Sequence, residues 1–94
     1  MPVAVDMKFR GATLEQYDEV IRKMGLTDGT APPNALFHWV SETDDGLRVV
    51  DVWESKEAFG RFAEEQIGPY TREVGIEEEP EIEFHEVHNY IIAR

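Results

Sequence analysis

Ala35-Leu36-Phe37-His38-Trp39-Val40-Ser41 and Leu47-Arg48-Val49-Val50-Asp51-Val52-Trp53 are two aromatic and β-branched runs parted by Asp44-Asp45-Gly46. Such runs around an Asp-Gly turn predict a β-hairpin. With a hairpin loop of two or four residues, even-numbered residues of the first arm oppose odd-numbered residues of the second. Phe37, Trp39, Val50 and Val52 then share one face, and Leu36, Val40, Val49 and Trp53 the other. His38 falls on the face of Asp51 and Trp53. Both faces of this hairpin are apolar, so both must be covered.

Working outward, Val3, Val5, Met7 and Phe9 alternate with Ala4, Asp6 and Lys8, the period of a strand buried on one side. Thr13 and Gln16 have capping-box spacing, which starts a helix with Leu14, Tyr17, Val20, Ile21 and Met24 on its apolar stripe and Gly25 as its stop. Residues 25–33, GLTDGTAPP, are a loop long enough to act as a lid. On the far side of the hairpin Ser55 caps a second helix with Phe59, Phe62, Ala63 and Ile67 inward. Gly60 inside it is expected to pack close to the sheet, and Gly68-Pro69 to interrupt it before one more turn to Val74. A last strand spans residues 81–87, followed by an apolar tail with Tyr90, Ile91 and Ile92 that is expected to contact a partner subunit.

The resulting order, βαββαβ, is that of a ferredoxin-like α+β sandwich: a four-stranded antiparallel sheet with two helices on one face. The 94 residues, 41% of them hydrophobic, suffice for a single domain over residues 1–94. Two helices cover one sheet face only, and the second apolar face predicts a homodimer.

Charge narrows the function. Twenty Asp and Glu against nine Lys and Arg leave a net −11, with no basic stripe to neutralise successive phosphates, so nucleic acid is excluded as a partner. An anionic membrane surface would repel the same carboxylates, and no apolar run reaches the length of a membrane span. No Cys is present, so disulfides and thiolate metal sites are excluded. No secretory signal is visible at the N-terminus, and a cytoplasmic location is expected.

The segment Val52-Trp53-Glu54-Ser55-Lys56-Glu57-Ala58-Phe59, a strand end running into a helix start, resembles the V-W-x-S-x-x-A-F segment of the dimeric α/β-barrel superfamily. It is most similar to the antibiotic-biosynthesis-monooxygenase-like branch, and the order of elements is similar over residues 3–88. The resemblance implies two sheets closing a dimeric barrel. It also implies cofactor-independent oxygenase or isomerase chemistry on a small aromatic or quinol-like compound, with no cofactor. For the polar and aromatic pocket of quinol-oxidising members the chain offers Tyr17, His38, Trp39 and Trp53. Haem-degrading members carry a Trp and a His where Phe62 and about Arg72 stand here, and an Asn on the first strand, absent from residues 3–9. These departures argue against haem degradation.

Among candidate site residues, His38 and Asp51 carry the chemistry: a carboxylate beside an imidazole fixes its tautomer and makes it a usable base toward a phenol. Tyr17, Trp39, Trp53 and Phe62 are the candidate ligand-binding residues, with core packing as the competing role for each. His85 and His88, three apart on an extended strand, point to opposite faces and predict no metal site. Glu77-Glu78-Glu79-Pro80-Glu81 reads as a solvated run guarding an edge strand. Two functions of different class follow: an oxygenase or isomerase with His38 in proton transfer, or a non-catalytic ligand-binding or structural dimer. A cavity of a few hundred Å³ beside His38, with Asp51 or Tyr17 in hydrogen-bond reach, separates the first from the second.

Overall fold

The computed structural model describes residues 1–93. Its elements follow the predicted order: β1 (Val3–Arg10), α1 (Leu14–Met24), β2 (Ala35–Thr43), β3 (Gly46–Trp53), α2 (Lys56–Phe62), a π-helical turn (Ala63–Ile67), α3 (Gly68–Glu73) and β4 (Glu81–Glu86). The strands form one antiparallel sheet in the order β2-β3-β1-β4. No helix among the described residues is long and apolar enough to cross a membrane.

Alternation along the strands sorts the sheet into two faces. Val5, Met7, Leu47, Val49 and Trp53 point toward the helices and are buried with Ala58, Phe59 and Ile76 in one core. On β4, Ile82 and Phe84 stand opposite Met7 and Val5, and Phe84 meets Phe59 edge-on. The other face, away from the helices, carries Asp6, Arg48, Val50 and Trp39; Phe37 and Trp39 remain 45% and 38% exposed.

Local chemistry accounts for the boundaries. Thr13 and Gln16 make both bonds of the capping box, and Gly25 ends α1 in the left-handed conformation that a residue with a Cβ adopts only at a cost. The hairpin loop is Asp44-Asp45, because Thr43 pairs with Gly46. A side chain at Gly46 would collide with the carbonyl oxygen of Phe9, so only glycine lets β3 close on β1 there.

Four expectations are corrected. Leu14, placed on the core stripe of α1, is 41% exposed, and Val20 is the helix's one buried residue. Gly60 faces open space rather than the sheet, so close packing does not explain it. Gly68-Pro69 does not break the second helical segment: the wider ladder of the π turn at Ala63–Ile67 absorbs the missing proline N–H, and helix resumes through Glu73. In β2 a bulge at Leu36 makes Ala35, not Leu36, the partner of Trp53.

Candidate functional site

Between the sheet and α1 lies a cavity of about 490 Å³. Its floor is sheet: Met7 and Phe9 of β1, His38 of β2, and Leu47, Val49, Asp51 and Trp53 of β3. Its walls are Tyr17, Val20, Ile21 and Met24 of α1 on one side, and Phe62, Ile67 and Thr71 on the other. Leu26, Thr30, Ala31 and Pro32 of the connecting loop border it. One bond holds that loop internally and another holds its C-terminal end. Asp28 accepts from the Thr30 amide at 2.9 Å, and the carbonyl of Asn34 accepts from the Glu54 amide at 2.9 Å. Asn34 itself is left-handed, with φ 72°.

One polar row crosses this apolar chamber. His38 pairs directly with Asp51 across the hairpin, and its Nδ1 lies 2.5 Å from Asp51 Oδ1. The second carboxylate oxygen accepts from the indole N–H of Trp53 at 3.0 Å. Asp51 is 6% exposed, the one buried charged residue of the chain's described part, and these two bonds compensate its lost hydration. On the far side of the imidazole, His38 Nε2 lies 2.5 Å from the hydroxyl of Tyr17. Burial first, and then the negative charges of Asp51 and Asp18, push the Tyr17 phenol up to about 12, so it stands as a neutral hydrogen-bond donor.

The hydrogen-bond directions follow from chemistry. A carboxylate only accepts, so His38 donates from Nδ1, and in the neutral imidazole Nε2 carries the lone pair that accepts from the Tyr17 O–H. The row therefore presents an oriented imidazole base at the wall of an apolar chamber. His38, with 40% of its side chain exposed, also reaches water. Nothing in the arrangement gathers metal donors: no group of three or more His, Asp or Glu that could hold an ion exists among the described residues.

Of the six residues singled out from sequence, five meet here: His38, Asp51, Tyr17, Trp53 and Phe62 all line the cavity. Trp39 does not. As an odd-numbered residue of β2 it points to the opposite face of the sheet, where Arg48 lies 6.0 Å from its ring centroid. The loop expected to act as a lid contributes Leu26, Thr30, Ala31 and Pro32 to the cavity lining. Met7, Leu36 and Thr71 were missed as lining residues. The signal for Thr71 was Gly68-Pro69 within a helical stripe, since the π turn it marks sits between Phe62 and Thr71.

No family model matches the chain, and no curated protein matches it. Solved structures do. SnoaB, a cofactor-independent oxygenase from Streptomyces nogalater, superposes with a TM-score of 0.58 at 17% identity, over 96% of this chain and 95% of that one. A monooxygenase from the gene ActVA-Orf6 of Streptomyces coelicolor, in complex with nanaomycin D, gives 0.53 at 22% identity over 99% and 92%. A conserved protein from Methanosarcina mazei gives 0.60 at 12% identity over 90% and 91%. The chain thus has the ferredoxin-like α+β fold of the antibiotic-biosynthesis-monooxygenase-like proteins.

Proposed function

We propose that this protein is a cofactor-independent monooxygenase acting on a small phenolic or quinol-like aromatic compound held in the cavity, with His38 as the base and Asp51 as its orienting partner. The observation that carries the reading is the oriented imidazole, with Nε2 already engaged by a phenolic hydroxyl, at the wall of a chamber of about 490 Å³ whose other surfaces are almost wholly apolar. A filled core would have favoured a structural module. The neighbouring folds support the coarse assignment, since two of them are oxygenases.

The chemistry needs little beyond a proton acceptor and a dry, shaped site. Removal of the phenolic proton leaves a phenolate, which is electron-rich enough to reduce dioxygen. One oxygen atom bonds to the ring carbon, the O–O bond breaks, and the second oxygen leaves as water, so that a phenol and O₂ become a quinone and water. His38 takes the proton; Asp51 holds the imidazole in the required tautomer and balances the charge it acquires. The cavity wall positions the ring.

A homodimer completes the reading. The uncovered sheet face, with Phe37 and Trp39 exposed, is the surface a second copy would cover, closing the dimeric barrel. The tail, where Ile91 is 89% exposed, is a second apolar surface suited to a partner subunit.

Oxygen uptake with a panel of naphthoquinols and anthrones tests the activity. Wild-type protein should consume oxygen with one of them, and His38→Ala should lower kcat by about 10²–10⁴-fold while the fold melts normally. Absence of turnover across the panel, or an undiminished rate in His38→Ala, would refute the assignment.

A further inference from the structure

The polar row runs in one direction only. Trp53 and His38 both donate to Asp51, and Tyr17 donates to His38 Nε2. The Tyr17 hydroxyl therefore has its one proton engaged and its lone pairs free, and no other side chain of the described residues hydrogen-bonds it. Tyr17 lines the cavity, while the lone pair of His38 is already taken by its hydroxyl. The two rings lie within 6° of parallel, with their centroids 5.8 Å apart. A hydroxyl bound in the chamber thus finds the phenol oxygen of Tyr17 as its acceptor, not the imidazole.

We infer that Tyr17 is a catalytic proton relay: the bound phenol donates its proton to the Tyr17 oxygen as Tyr17 passes its own to His38 Nε2. The inference rests on the function proposed above and adds the route. Its balance is complete. The ligand loses one proton and becomes phenolate, His38 gains one and becomes imidazolium beside the Asp51 carboxylate, and Tyr17 is a neutral phenol before and after. No tyrosinate need form, which matters because the Tyr17 phenol resists ionisation at neutral pH. After transfer every bond in the row is reversed in sense except those to Asp51. Tyr17 now donates to the phenolate, and the imidazolium donates to Tyr17. The partly exposed imidazole then returns its proton to water.

The test uses 4-nitrophenol, whose phenol and phenolate forms absorb differently, with binding followed separately by quenching of tryptophan fluorescence. Bound to wild-type protein, the probe should remain phenolate to a pH at least one unit below that of the free probe, about tenfold in its ionisation constant. Tyr17→Phe removes one oxygen atom and should keep the probe bound while the shift disappears. His38→Gln should also bind and lose the shift. If Tyr17→Phe keeps or enlarges the shift while His38→Gln loses it, His38 acts directly and the relay is overturned with the base assignment intact. If the probe binds wild-type protein with no shift, or does not bind, the base assignment falls and the relay with it. Thermal melts of both variants establish that each is folded.

Discussion

The two faces of the central hairpin are built from the same kinds of residue and end in different states. Each bears a tryptophan and two valines, with a carboxylate partnered across strands: Asp51 of β3 on the helix side and Asp6 of the neighbouring β1 on the other. On the helix side Trp53 is 2% exposed, packs on Phe59 and Phe62, and donates to Asp51. On the other side Trp39 is 38% exposed and sits under Arg48, which makes two bonds to Asp6 at 3.1 and 2.6 Å. The difference lies in what covers them. A carboxylate enclosed by the chain's own helices is matched with an imidazole and an indole, groups suited to moving or directing a proton. One on the uncovered face is matched with a guanidinium, which holds its charge at any ordinary pH.

The largest effect that would sharpen this contrast is expected from Trp53→Ala. It removes the biggest buried side chain and leaves the second oxygen of Asp51 without its donor, and it should cost about 3–5 kcal/mol in chemical denaturation. A loss below about 1 kcal/mol would mean that the helix side is no better packed than the open side. Trp39→Ala should leave the single-chain fold nearly intact but weaken dimerisation by about 2 kcal/mol, roughly thirtyfold in Kd, measured by light scattering across a dilution series. Unchanged association would break the idea that a second copy covers that face.

Gly60→Ala touches neither face. Because open space surrounds Gly60 within the covering helix layer, the substitution should stabilise the fold by about 0.5–1 kcal/mol and raise Tm by several degrees. A lower Tm would show that the position is packed after all. The smallest effect belongs to Asp6. Its hydrogen bonds to Arg48 hold its carboxyl below the usual carboxylate range, so the pair's contribution is present above the unfolded value of 3.8 and is lost as pH falls through the lowered folded value. With Arg48 half exposed, solvent screening keeps that contribution small at neutral pH. Asp6→Asn should therefore differ little from wild type at pH 7 and not at all well below pH 3, in urea titrations at each pH.

Much of this was legible in the residues because short-range rules specify it. The period of two in residues 3–9 and 35–53, the capping box at Thr13 and Gln16, the left-handed stop at Gly25 and the Asp-Asp-Gly turn are local physics, and each acts within a few residues of itself. Parity across a loop of two or four residues places His38 on the face of Asp51 and Trp53, and the strand register makes His38 and Asp51 direct partners. The same parity separated Trp39 from His38, yet Trp39 was grouped with the ligand-binding residues on its chemistry alone.

Tertiary structure decided what no local rule reaches. Tyr17 and His38 are 21 residues apart, and their hydrogen bond exists because α1 crosses the sheet at one angle and not another. The cavity is a matter of volume: Val20, Ile21, Met24, Phe62 and Ile67 are core-forming types by composition, but the packing of α1, the π turn and the loop leaves a chamber between them and the sheet. Sequence patterning says which side chains face inward. Whether they meet depends on the separation and crossing of whole elements, set by the sum of all their contacts, and so the chemistry of the row from Tyr17 to Trp53 was decided only when the chain closed.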